Sequence, residues 1–178
     1  MYPKAYLDFL IYFHSDRDYF ECHEVLEEHW KEQPTRSRQS HWVGLIQIAV
    51  GMYHHRRGNV NGAWRMYDKA ISIITKEHKA ISKLGLDVPN LLDQLKAQQM
   101  LLKTSPRSFV DLEFPITDDA LLLACKERCL QLGKEWSTQK EAPENLIHKH
   151  SLRDRSDIVK ERARQLTLRK QKKEEENN

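Results

Sequence analysis

Apolar side chains recur along this chain at spacings of three and four residues, the pattern of helices that each bury one face. Tyr6, Phe9, Leu10 and Phe13 predict a first helix from about Pro3 to His14. Pro3 suits its first turn, where a missing N–H costs no hydrogen bond. Asp16 or Asp18 is placed to cap a second helix, whose stripe of Tyr19, Cys22, Leu26 and Trp30 ends near Gln33, before Pro34. A polar loop, 34–40, leads into a third helix carrying Trp42, Leu45, Ile46, Ala49, Val50 and Tyr53. Its apolar residues occupy much of the circumference, which marks it as the most buried helix, and Gly58-Asn59 stops it. Asn61 is the expected cap of a fourth helix running through Ala63, Tyr67, Ala70, Ile74 and Ile81 to Gly85. Asp87 caps a fifth with Leu91, Leu95 and Leu102. The stretch 108–114 alternates, but it has no partner strand and reads as an extended connector. Thr117 or Asp118 caps a sixth helix carrying Leu121, Cys125, Leu132 and Trp136.

These elements predict an all-α fold, an antiparallel bundle of about five to six helices. Three regions follow: a helical core over 1–104, a connector and extra helix over 105–143, and a charged tail over 144–178, partly helical or disordered. Charge sharpens the last boundary. Residues 1–143 hold 19 Lys/Arg against 19 Asp/Glu, whereas 144–178 hold 10 against 7, so the tail carries the whole net charge of +3. The core therefore lacks a basic footprint for nucleic acid. In the tail, Asp154, Asp157 and Glu161 interleave with Arg153, Arg155, Arg162 and Arg164, as on an ordinary charged helix. No apolar run approaches the ~20 residues of a membrane span. The start, Met1-Tyr2-Pro3-Lys4, lacks a secretory layout, and Cys22, Cys125 and Cys129 form no CxxC pair. A cytoplasmic location with packed, free thiols is the expectation.

Candidate chemistry concentrates on the second helix. His23 and Glu27 are one turn apart, and Trp30 extends their face. Imidazole and carboxylate four residues apart form half of a metal site. Gln47, Gly51 and His54 lie along one line of the third helix and could supply the other half, Gly51 allowing a close helix approach. The expected ligands are thus His23, Glu27 and His54, with Gln47 beside them and Glu24 as a possible base. Zn, Mn, Fe or Ni would suit such ligands. The HExxH pattern fails, because Glu27 stands where a zinc protease carries its second His. The same residues also fit a buried hydrogen-bonded cluster that keeps two helices in register. His55, Arg56 and Arg57 read as an exposed polar face at a helix end.

The spacing His23, Glu27, Trp30 resembles the HxxxExx(W/Y) hallmark of the domain of unknown function 309 family. Tyr19-Phe20-Glu21, Gly44-Leu45-Ile46-Gln47, Tyr53-His54, Gly58-Asn59 and Gly62-Ala63 match its wider pattern in order. Asn59 joins Glu24, Trp30 and Gln47 as a further site candidate. The resemblance implies a small bacterial or archaeal all-α bundle of unestablished function, whose motif has been proposed to be functional and to bind metal. It does not extend to 108–178, which look like additions. Two functions remain open: a helical protein holding a divalent metal or small ligand at the His/Glu site, or a non-enzymatic interaction module that captures a protein partner through its tail.

Overall fold

A computed structural model of the chain describes residues 2–35, 38–137 and 146. The chain divides into two units, Met1–Ile147 and His148–Asn178. The second lies outside the described residues, and with it the expected helicity of the tail.

The first unit is all-α, with no strand among the described residues. Among the described residues, seven α-helices follow in order: α1 Lys4–Ile11, α2 Tyr19–Glu32, α3 Ser40–Arg56, α4 Val60–Lys76, α5 His78–Ser82, α6 Val88–Thr104 and α7 Asp119–Gln131. The expected count of five to six rises because the fourth helix breaks after Lys76. The run Thr75 to Lys79 is polar all round, so no apolar face holds a continuation until Ile81 is buried. The first helix also ends early. A π-helical turn, Tyr12–Asp16, follows α1 and closes on Arg17 at φ 54°.

Side-chain caps set the starts of α2, α4, α6 and α7. Asp18 accepts from the Glu21 N–H at 3.0 Å, and Asp87 accepts from the Asn90 N–H at 3.0 Å. Asp118 accepts from Ala120 at 2.8 Å and Leu121 at 3.3 Å. The cap of α4 is Asn59 rather than Asn61, with Oδ1 accepting from the Gly62 N–H at 3.0 Å. Helix α7 stops at Gln131 instead of reaching Trp136, since Gly133 turns the chain at φ +65°.

Helix α3 is the central element and packs on both α2 and α4. Trp42, Leu45, Ile46, Ile48, Ala49, Met52 and Tyr53 are all buried along it. Its interior glycines face α4. A Cβ on Gly51 would lie 2.6 Å from the Tyr67 ring, and one on Gly44 3.1 Å from Ile73 Cγ2. The expected close approach at Gly51 is real, but its partner is α4 and not the motif helix. The connector is extended, joined by an isolated antiparallel bridge between Leu86 and Ile116, and it buries Leu112 and Phe114 in the core.

The Cys22, Cys125 and Cys129 side chains are buried. Burial, with a smaller contribution from Cys129, pushes the Cys125 thiol up to about 12, so these thiols pack rather than react. Among the described residues, no helix is long and apolar enough to cross a membrane.

Candidate functional site

Asp18 caps α2 and so sets the register in which His23 and Glu27 stack on one face. His23 Nε2 lies 3.4 Å from Glu27 Oε2, and His23 Nδ1 lies 3.1 Å from Glu24 Oε1. One ligand atom from each of His23, Glu24 and Glu27 falls within 4.8 Å of the others. The three side chains are 28%, 38% and 32% exposed, so the cluster opens to solvent at the edge of the core. Lys31, one turn further on, places Nζ 3.0 Å from Glu27 Oε1.

The remaining candidates take different positions. Trp30 continues the same face and packs against the core. The Arg38 guanidinium lies 4.8 Å above its ring. The Trp30 indole N–H is buried and has no hydrogen-bond partner among the described residues. Gln47, on α3, buries its side-chain oxygen in the same state. His54 does not join the three-residue cluster. It sits at the C-terminal end of α3, where its Nδ1 accepts from Asn59 Nδ2 at 3.1 Å. Phe20 links the two regions through ring contacts, 6.3 Å from His23 and 6.0 Å from Tyr53, which neighbours His54.

Asn59 is thus a helix cap that also holds His54. Asn59→Ala is expected to cost ~1 kcal/mol of stability while leaving divalent-ion titrations of the purified protein unchanged. A loss of ion binding in that variant would place Asn59 and His54 in the site.

The structure overturns the reading of His55 and Arg56 as an exposed face. His55 is 2% exposed. Its Nε2 donates to the Ser108 carbonyl at 3.0 Å, and its Nδ1 lies 3.2 Å from the Tyr67 hydroxyl. Burial holds its pKa below the ordinary value against the Ser108 bond, which acts the other way. Arg56 turns inward, donating to the Arg17 carbonyl at 2.6 Å and stacking 4.6 Å from the Tyr19 ring. Helix periodicity could not place them, because their partners come from α4, the start of the connector, the turn before α2 and α2 itself.

A second polar cluster was also invisible in the spacing. His14 Nδ1 donates to Glu113 at 2.7 Å, Arg17 donates to the other Glu113 oxygen, and Tyr19 donates to Asp111. His14 and Arg17 are each 2% exposed. The network ties the π-turn to the connector across about a hundred residues of chain. On α2 itself, a groove of about 420 Å3 runs against α1, lined by Lys4, Asp8, Val25, Glu28, His29 and Glu32. At 100° per residue these α2 positions face away from His23 and Glu27, so the groove is not part of the motif cluster.

The family described as domain of unknown function (DUF309) matches residues 6–66, a span from α1 into α4 that holds the whole motif. The chain is also similar to a Bacillus subtilis (strain 168) protein described as "Uncharacterized protein YpuF". The two are 45% identical over 172 residues, covering 96% of this chain and 98% of that protein. The connector, α7 and the tail are therefore shared with this relative, and are not additions particular to one chain. No solved structure matches.

Proposed function

Because the chain belongs to the domain of unknown function 309 family, we propose that it is a helical protein that binds a divalent metal ion through His23, Glu27 and Glu24. The observation that carries the reading is the convergence of one imidazole and two carboxylates within 4.8 Å on a solvent-open helix face. A bound ion of zinc size sets its ligand atoms about 3.4 Å apart, given metal–ligand distances near 2.1 Å. The observed spacing reaches that by rotation of partly exposed side chains, without moving the helix. Neutral nitrogen and hard oxygen donors favour Zn, Mn, Fe or Ni. Open exposure leaves coordination positions for water, which a hydrolytic role would need.

A register-holding hydrogen-bonded core cluster fits the geometry less well. The contacts of Glu27 with His23 and Lys31 join turns of one helix, and each partner is partly exposed. Such pairs contribute only ~0.3–0.5 kcal/mol each. Isothermal titration of chelator-treated protein with zinc, manganese or nickel is the test. One ion per chain is expected, with affinity reduced at least about tenfold in His23→Ala and in Glu27→Gln. The melting temperature of metal-free His23→Ala should stay within a few degrees of wild type. No binding of any of these ions, with stability unaffected by chelation, would sink the proposal.

A further inference from the structure

We infer that Lys31 is a built-in competitor of the metal at this site: its ammonium occupies the Glu27 carboxylate, and an arriving divalent cation must displace it. The inference rests on the metal-binding reading above and adds what regulates occupancy.

Glu27 is the shared element. One oxygen faces His23 Nε2 at 3.4 Å, and the other holds Lys31 Nζ at 3.0 Å. The Glu-to-Lys spacing of four residues, with Glu nearer the N-terminus, is the favourable orientation on a helix. Arg38, another cation near this end of α2, is committed elsewhere. Its Nε donates to the Gln33 carbonyl at 3.2 Å and its Nη2 to the Lys31 carbonyl at 3.1 Å. Those bonds satisfy carbonyls at the end of α2 and seat the guanidinium over Trp30.

Lys31 therefore sets the local charge. With His23 neutral, Glu24, Glu27 and Lys31 sum to −1, and without Lys31 the cluster carries −2. A dication gains from the second negative charge, and it no longer has to break an existing ion pair. The Lys31 side chain is 57% exposed, so its release costs little, and it can swing into solvent on a flexible four-carbon stem. The site thereby discriminates by charge: a monovalent cation gains too little to expel an ammonium already in place, whereas a divalent ion gains about twice as much.

The test is zinc titration of the full-length chain at low salt, comparing wild type with Lys31→Met and Lys31→Arg. Lys31→Met keeps most of the apolar stem and removes the charge, and its exposed position leaves folding intact, which circular dichroism checks. It is expected to bind zinc about three- to tenfold more tightly than wild type, while Lys31→Arg stays close to wild type. The gap should shrink as salt approaches about 0.5 M, where screening weakens both the ion pair and the repulsion. Equal zinc affinity of wild type and Lys31→Met at low salt overturns the competitor role while leaving the metal site standing. Absence of zinc binding in all three proteins overturns the site itself, and the inference with it.

Discussion

Gly51→Ala should unfold several degrees, up to about 8 °C, below wild type in a thermal melt. On an open helix face the same change would stabilise, since Ala is favoured over Gly by ~1 kcal/mol in a helix interior. Here the added methyl would lie 2.6 and 2.7 Å from two carbons of the Tyr67 ring and 3.3 Å from Met66 Cβ. Tyr67 cannot retreat cheaply. It is fully buried, and its hydroxyl lies 3.2 Å from His55 Nδ1 and 3.1 Å from Met52 Sδ. Overpacking costs ~1–3 kcal/mol, and contacts this short against a pinned ring belong at the upper end, which leaves a net loss of up to ~2 kcal/mol after the propensity gain. At ~2–4 °C per kcal/mol for a chain of this size, the shift follows. Gly44→Ala provides the contrast. Its nearest obstacles are the ends of two aliphatic side chains, Cγ2 of the partly buried Ile73 at 3.1 Å and Cγ1 of Ile74 at 3.3 Å, so a change of under about 1 kcal/mol is expected. Equal effects at the two positions would refute the assignment of Gly51 to the tight α3–α4 contact.

Glu113→Ala is the second large effect, and it carries a pH signature. Arg17 lies almost wholly inside the protein, in a left-handed conformation at φ 54° that costs a non-glycine residue about 1–2 kcal/mol. The guanidinium donates to the Phe13 and Leu112 carbonyls at 3.4 and 3.3 Å and pairs with Glu113. Removing a partner of a buried pair costs ~3–5 kcal/mol. Glu113 is 43% exposed and Asp111 remains 4.0 Å from Arg17, so about 1–3 kcal/mol is the expected loss. Burial alone would raise the Glu113 carboxyl. Hydrogen bonds and charge from His14 and Arg17 outweigh burial and hold it below its ordinary value of 4.5. The sign follows from linkage: a depressed folded pKa contributes stability above the unfolded value, and this is lost as pH falls through the folded value. Urea denaturation of wild type should therefore lose stability below about pH 4.5 more steeply than Glu113→Gln does. Parallel pH profiles would refute a Glu113 contribution.

Both effects fall on contacts that a linear reading cannot reach. The π-turn after α1 illustrates this. Periodicity carries the first helix to His14, and its apolar positions Tyr6, Phe9, Leu10 and Phe13 are buried as expected. The widened turn and the left-handed Arg17 depend on a carboxylate ninety-six positions away, and no local pattern encodes that. At the site the balance differs. His23, Glu24, Glu27 and Lys31 lie on one helix, and their neighbourhood follows from a rise of 1.5 Å and a turn of 100° per residue. His54 belongs to another helix, and how α3 rotates against α2 is settled by packing.

The amino-acid pattern on its own determined the all-α class, the Asp87 cap, the burial of α3 and the motif face of α2, and it narrowed two further caps to pairs that include Asp18 and Asp118. These rest on local geometry: the helical repeat, the reach of a capping side chain, and the segregation of apolar residues to one face. Only the tertiary structure decided that Gly51 meets α4, that His55 and Arg56 turn inward, that Asn59 caps a helix and holds His54, and that the connector supplies Glu113 and Asp111 to buried cations. Each of these depends on which distant segment fills the space beside a residue, and that is set by close packing of the whole unit.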